Sequence, residues 1–255
     1  MRLKQLLSQQ TLFAFNCDDF VIYRGVIQAL SETNSPAIVQ ISPGEKDFWG
    51  LARFACLTAN ESTPIFTNFD HARDMDTVKQ VIDHGFSMVH FDGSSLNWEE
   101  NLDLTRQAVE IAYPDGMLVE GEPVPENTTP EEAKEFVEKT GVDLLAVFVG
   151  NTHGMDPEKP EHLDLKQLSK IKQAVGDKVK LTLHGGSGVP QEEIKQAIEQ
   201  RLIAKININS RLRLVYQEAL EDTLAGYEGK FKVYNLMNPV MEAIKREVVE
   251  ILNYE

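Results

Sequence analysis

Six short segments of this chain combine residues that can bind a metal, move a proton or hold an anion. They are Asp70-His71, Asp92-Gly93-Ser94, Glu120-Gly121-Glu122, Asn151-Thr152-His153-Gly154, His184-Gly185-Gly186-Ser187 and Asn207-Ile208-Asn209-Ser210. Three of the six histidines, His71, His153 and His184, fall in them. Three imidazoles with an open fourth position are the pattern of a catalytic divalent metal, zinc most readily. A lone histidine of this kind is more often a hydrogen-bonded rim residue. Three in equivalent settings, two of them followed by glycine, strengthen the joint reading. His84 and His162 fall in helix or loop and read as solvated.

Anion chemistry concentrates between Leu181 and Pro190. A β-type run ends in His184, three glycines and a serine follow, and Pro190 with Gln191-Glu192-Glu193 opens a helix. Glycines let a phosphate approach bare backbone N–H groups, and a helix N-terminus favours an anion. Asn209-Ser210-Arg211 offers a second donor-rich turn. The bland alternative is that the glycines only make a tight turn. Arg73, Arg211 and Arg213 are candidate local cations, though each also reads as a surface residue. Glu120 and Glu122 are compatible with a solvated strand end. Lys205 could form a Schiff base, but pairing with a carboxylate is the more ordinary role.

These segments need a scaffold that brings their ends together. Eight strand-like runs occur: Thr11–Phe15, Ala37–Ile41, Pro64–Phe69, Ser87–Phe91, Met117–Glu120, Leu144–Gly150, Val179–Leu183 and Leu202–Ile208. Amphipathic stretches lie between them, among them Val21–Glu32, Asp76–His84, Trp98–Ala112, Pro130–Thr140, Leu165–Val175 and Gln191–Gln200. Thr129-Pro130-Glu131-Glu132 sets a cap, a first-turn proline and acids in order. Strands alternating with helices predict parallel βαβ units, and eight in this length predict a closed (β/α)8 TIM barrel. The expected organisation is α/β, one domain over residues 1–255. Extra C-terminal helices are expected at Leu212–Leu224 and at Val240–Leu252, the latter started by Pro239. In such a barrel the active site forms at the C-terminal strand ends, which is where all six segments fall. Loops after strands seven and eight are the usual phosphate site of the fold. His90 shares the inward parity of Asp92 and reads as a barrel-interior histidine, outside the ligand set.

Composition narrows the partners. A net charge of −15 over 255 residues argues against a general nucleic-acid or anionic-membrane binder. No apolar run approaches transmembrane length and no secretory h-region is present. Two cysteines, Cys17 and Cys56, support neither a disulfide framework nor a cysteine metal site, so a cytoplasmic setting is expected.

At these residues the sequence resembles the class II, metal-dependent fructose-bisphosphate aldolases and their tagatose-bisphosphate relatives, from Ala14-Phe15-Asn16 to the C-terminal helix. The most specific pieces are Asp70-His71, Phe91-Asp92-Gly93-Ser94, Val119-Glu120-Gly121-Glu122, Gly150-Asn151-Thr152-His153-Gly154, Leu183-His184-Gly185-Gly186-Ser187-Gly188 and Lys205-Ile206-Asn207-Ile208-Asn209. The resemblance implies that His71, His153 and His184 hold a catalytic zinc, with cobalt or manganese as alternatives and a monovalent cation assisting. It implies Asp70 as acid/base and Asn207 as the residue orienting the intermediate. Asp92 and Glu122 match an alternative or second metal position. Asn16, Ser42, Gly154, Gly185, Gly186, Ser187, Asn209 and Ser210 match contacts to a phosphorylated ketose, fructose 1,6-bisphosphate first. A homo-oligomer, dimer or tetramer, is implied as well.

Two departures stand out. The family's glycine-rich lid with its catalytic glutamate is reduced to Pro123-Val124-Pro125-Glu126-Asn127-Thr128-Thr129, leaving Glu126 as the nearby candidate. His90 stands where the family often has an apolar residue. Two other classes remain open. A metal-dependent hydrolase could use the same histidines, but would commonly carry a ligand pair on strand one, where Phe13-Ala14-Phe15-Asn16 has none. A non-catalytic sugar-phosphate or metal-binding protein would fit the reduced lid.

Overall fold

The computed structural model describes residues 3–124, 126–151, 161–229 and 232–254. Eight parallel strands close a barrel in sequence order. They are β1 (Leu12–Asn16), β2 (Ala37–Ile41), β3 (Ile65–Ala72), β4 (Met88–Phe91), β5 (Leu118–Gly121), β6 (Leu144–Val147), β7 (Lys180–Leu183) and β8 (Lys205–Ile208). β1 closes on β8 with Leu12 opposite Lys205 and Ala14 opposite Asn207. α1 (Leu3–Leu6) precedes β1, and α2 (Phe20–Thr33) follows it. After β2 come α3 (Pro43–Trp49) and α4 (Leu51–Ala59), then α5 (Met75–Asp83) after β3 and α6 (Trp98–Ala112) after β4. α7 (Pro130–Thr140), α8 (Leu165–Val175) and α9 (Gln191–Glu199) follow β5, β6 and β7. β8 leads into α10 (Ser210–Ala225) and α11 (Val233–Leu252).

The strands are short, apolar and buried on both faces, as parallel strands under helices must be. Their outward side chains form the large core against the helices. Their inward side chains change character along the barrel axis. Ala14, Ile38, Met88 and Leu118 make an apolar plug with Leu3 and Leu6 of α1 at the N-terminal end. Two residues further along the same strands stand Asn16, Gln40, His90 and Glu120, all buried. Because side chains alternate with a period of two, a shift of two residues keeps the same face. The polar residues therefore form a layer directly above an apolar floor. Register confirms the neighbours: Asn16 lies opposite Gln40, and His90 opposite Glu120.

Several boundaries differ from the sequence expectation for identifiable reasons. β6 ends at Val147 because the next N–H, that of Phe148, donates to the Thr128 hydroxyl at 2.9 Å rather than to a strand. β8 begins at Lys205 because the preceding residues still turn out of α9: the Leu202 N–H donates to Ala197 O at 3.0 Å, and Arg201 is left-handed at φ 54°. α11 begins at Val233, with Pro239 inside it rather than before it. The proline removes one ladder bond, but Leu236, Val240, Ile244 and Val248 form a buried stripe that packs on α2 and carries the helix across. The helical segment expected after β2 had no range from the sequence; it is α3 and α4, and Ser42-Pro43-Gly44-Glu45 opens it as a capping box with proline at the helix start. Among the described residues no helix is long and apolar enough to cross a membrane.

Candidate active site

The site is built on an irregularity in β3. Its register against β4 shifts between Phe69 and Ala72, and His71 adopts a left-handed backbone at φ 60°. A bulky residue rarely holds that conformation, and such strain clusters at functional sites. In a regular strand Asp70 and His71 would face opposite sides. Here both reach the barrel mouth. The His71 ring lies 5.1 Å from that of His184, and its Nε2 is 3.9 Å from Asp70 Oδ2.

Asp70 is buried and surrounded by donors. Gln40 Nε2 and Asn16 Nδ2 approach Oδ2 at 3.2 and 3.4 Å, and Asn207 Nδ2 approaches Oδ1 at 3.3 Å. Gln40 is itself fixed, donating to Asn16 Oδ1 at 2.7 Å and accepting from Asn68 Nδ2 at 2.8 Å. Burial alone would raise the Asp70 carboxyl, but the His71 ring first, then a hydrogen bond from His90 and the neighbouring His184 and Lys205 side chains, hold it well below the usual carboxylate range. Asp70 is thus a buried carboxylate held in its ionised form.

His184 is oriented from beneath. Its Nε2 meets Glu120 Oε1 at 2.7 Å. Glu120 also accepts from the Thr182 hydroxyl at 2.8 Å and from Lys205 Nζ at 3.0 Å. All of these residues are buried, so Glu120 is the hub of an internal network and not a solvated strand end. Lys205 is committed to that pair, as the carboxylate-pairing reading of the sequence expects. Burial pushes Glu120 upward, but Lys205 first and then His184 bring it below the ordinary carboxylate value. Burial drives His184 down to about 3, against the pull of Glu120. A neutral imidazole results, as a metal ligand requires.

Asp92 forms the outer side. Its Oδ2 lies 3.0 Å from His71 Nδ1 and 3.4 Å from Arg73 Nε, while Oδ1 accepts from the Ser94 hydroxyl at 2.6 Å. Burial raises it, but His71, His90 and Ser94 outweigh that and leave it ionised. Glu122 is different: burial first and then the Asp92 charge push it up to about 8. One ligand atom each from Asp70, His71, His90 and His184 lie within 4.8 Å of one another, and so do atoms from His71, Asp92 and Glu122. His90 Nε2 and Glu122 Oε2 are buried without a hydrogen-bond partner among the described residues. A donor set of imidazoles and carboxylates with orphaned buried atoms fits a divalent cation. His90, placed outside the ligand set by sequence reasoning, stands in the middle of the cluster, its ring 4.6 Å from that of His71 and 4.8 Å from that of His184. His153 and Gly154 lie outside the described residues.

Above the cluster opens a cleft of about 340 Å³. Asn16, Ser42, Gly185, Ser187, Asn209 and Ser210 line it together with Asp70, His71, His184 and Asn207. Gly185 has φ 65°, and a Cβ on Gly186 would sit 2.6 Å from Ile206 Cγ2 and 3.0 Å from Asn207 O. The loop after β7 thus needs its glycines to lie flat on β8. Ser187 Oγ accepts the Asn209 N–H at 3.1 Å and ties the two loops together. Ser210 opens α10, whose N-terminus faces the cleft. All three candidate cations are paired with carboxylates, and Arg213 is the one that lines the cleft. Arg211 pairs with Glu247 at 2.7 Å, and Arg213 with Asp18 at 2.6 Å and Glu45 at 2.9 Å. Arg73 pairs with Asp92 at 3.4 Å, with its side chain 70% accessible. Glu126 is exposed, and among the described residues no hydrogen bond or ion pair joins it to the cluster.

Residues 7–254 match the family model for class II fructose-bisphosphate aldolase. The chain belongs to the class II fructose-bisphosphate aldolase family. The uncharacterized protein YdjI of Escherichia coli K12 is 34% identical over 254 residues, covering 92% of this chain and 88% of YdjI. The crystal structure of the YdjI aldolase superposes with a TM-score of 0.87 at 29% identity, over 100% of this chain and 96% of that one. A fructose-bisphosphate aldolase of Geobacillus stearothermophilus is 30% identical over 255 residues, covering 92% of this chain and 88% of the relative. Class II aldolases are metal-dependent carbon–carbon lyases, and the imidazole–carboxylate cluster at the barrel mouth suits that chemistry. Gln40, Asn68 and His90 went unassigned as site residues in the sequence. The available signal was a polar side chain at the inward parity of an otherwise apolar strand, as in Ala37-Ile38-Val39-Gln40-Ile41.

Proposed function

We propose that this protein is a zinc-dependent ketose-bisphosphate aldolase acting on fructose 1,6-bisphosphate, giving dihydroxyacetone phosphate and glyceraldehyde 3-phosphate. The observation that carries this reading is Asp70: a buried, ionised carboxylate, fixed by three amide side chains, next to His71 and at the floor of a cleft rimmed by serine and glycine donors. His71, His184 and His153 are the proposed zinc residues, with Asp92 and Glu122 as an alternative or second metal position. The ion supplies Lewis-acid polarisation of the ketose carbonyl.

The chain's own residues do the rest. The loops after β7 and β8, with Ser42, Ser187 and Ser210, hold a phosphate away from the reacting bond, so binding energy fixes orientation. Asp70 accepts the C4 hydroxyl proton. The C3–C4 bond then breaks, its electron pair staying on the C3 side, the aldehyde half departs, and C3 takes up a proton from water or from Glu126, the nearby candidate, to give dihydroxyacetone phosphate. In condensation Asp70 returns the proton. Asn207 donates to Asp70 and keeps its own amide oxygen buried, without a hydrogen-bond partner among the described residues, which supports a role in meeting a substrate hydroxyl. Glu120, itself held by Lys205, keeps His184 correctly turned, and burial keeps it neutral.

The experiment is to incubate the metal-loaded protein with fructose 1,6-bisphosphate and trap triose phosphate by enzymatic reduction. Cleavage that chelator abolishes and zinc or cobalt restores is the expected result. A protein that ignores this substrate but cleaves tagatose 1,6-bisphosphate, or another ketose phosphate, keeps the aldolase reading and changes the sugar. The short Glu122-to-Pro130 connection favours keeping that second substrate class in the assay. Loaded protein that binds sugar phosphate without cleaving any would make it a binding homologue. A homo-oligomer is proposed, and Leu224, Val233 and Tyr234, each more than half exposed near the α10–α11 turn, are the surface on which to test it.

A further inference from the structure

His90 takes no part in the steps above, yet it is the most enclosed residue of the cluster, with no exposed surface. Among the described residues its Nε2 has no hydrogen-bond partner, and neither has Glu122 Oε2. Those two atoms face each other at 3.5 Å. A charge-assisted N–H···O bond would draw them to about 2.7–2.9 Å. Two neighbouring ligands about 2.0–2.1 Å from one ion stand about 2.9–3.6 Å apart, depending on coordination number. The separation suits a shared cation better than a direct bond. We propose that His90 is a metal ligand of this centre, binding through Nε2 beside Glu122 Oε2. This deepens the reading of the centre as a class II aldolase metal site and rests on it.

The ring's other nitrogen gives the ligand a second consequence. Nδ1 lies 3.2 Å from the His71 main-chain N–H and 3.4 Å from Asp70 Oδ1. One tautomer accepts from the former, and the other donates to the latter. An ion at Nε2 selects the Nδ1–H tautomer, which donates to Asp70. The result is a carboxylate–histidine–metal chain of the kind that fixes ring orientation around metals. His90 then links the ion directly to the proposed acid/base. The contribution adds to those of His71, His184 and His153.

The test uses the full chain with cobalt(II) as the probe, comparing wild type with His90→Gln, His90→Leu and Glu122→Gln. Readouts are the cobalt dissociation constant, the visible d–d spectrum and the imidazole count from X-ray absorption. Circular dichroism and melting of each metal-free protein verify the fold. The proposal expects both His90 variants to lose one imidazole from the cobalt shell, shift the visible bands and bind cobalt at least about tenfold more weakly. Glu122→Gln should weaken cobalt while keeping the imidazole count. An unchanged spectrum and imidazole count in a folded His90 variant overturns the proposal, as does a wild-type protein whose cobalt has no contact with this ring. Should His90→Leu fail to fold, His90→Gln decides in the same way. None of these readouts needs turnover. A cobalt shell that depends on His90 in a protein inert toward fructose 1,6-bisphosphate would sink the substrate assignment and leave this one standing.

Discussion

At the scale of single residues, the site depends on charges kept dry and paired. Asp70→Asn preserves shape but accepts no proton, so kcat should fall by on the order of 10²–10⁴ while metal content and substrate binding survive. Near wild-type turnover would make Asp70 a structural carboxylate. Lys205→Met leaves Glu120 buried without its cation. Breaking one partner of such a pair costs roughly 3–5 kcal/mol, so urea unfolding should show that loss, with His184 less firmly oriented. A loss under about 1 kcal/mol would mean that Thr182 and His184 suffice to hold Glu120. Asp70 and His71 were legible because adjacent acid and imidazole at a strand end is an unusual pairing. Glu120 was not, because its cation lies 85 positions away and meets it only once the barrel closes. His90 showed inward parity in the sequence, but parity does not reveal which other side chains share the same height on the axis.

At the scale of elements, two local features turn strands into a site. The β3 irregularity brings Asp70 and His71 to the same mouth, and the glycine turn after β7 lies against β8. Gly186→Ala would drive a methyl into Ile206 and the Asn207 carbonyl. The Asn207 carbonyl is backbone and cannot rotate aside, so the turn itself must lift. The expected result is a KM for the phosphorylated substrate raised at least about tenfold with a smaller change in kcat, and about 1–3 kcal/mol of lost stability from overpacking. Equal kinetics in this variant would show that the turn tolerates displacement and does not position the phosphate. All eight strands were readable from apolar runs and turn signals, because parallel buried strands leave little else to read. The β3 irregularity had no sequence signal, since a left-handed backbone is usually marked by glycine or asparagine and here falls on histidine. The α11 start was misplaced because Pro239 resembles a helix opener, whereas a buried stripe packed on α2 overrides it.

At the scale of the whole molecule, the buried polar layer couples folding to pH and to the ion. His184, held down to about 3, stays neutral in the folded chain where an unfolded imidazole titrates near 6.5. Between those values the unfolded state binds the extra proton, so this group makes stability rise with pH by up to roughly 1.4 kcal/mol per unit. Glu122, raised to about 8, works in the other sense: from about 4.5 to 8 the folded state holds the proton, and stability falls as pH rises. The two contributions oppose each other between about 4.5 and 6.5, and above that window only Glu122 remains. Metal-free protein should therefore lose melting temperature from pH 6.5 to 8, and should lose it again below about pH 4.5. A divalent cation bound by Glu122 displaces its proton, so added zinc or cobalt should stabilise more at pH 8 than at pH 6.5 and flatten the alkaline fall. Melting curves of chelator-treated and reloaded protein at pH 4, 5.5, 6.5 and 8 measure all three segments. A metal-free protein equally stable at pH 6.5 and 8 would show that Glu122 has already lost its proton in the fold. The metal effect would then have to come from the histidines and Asp92 alone.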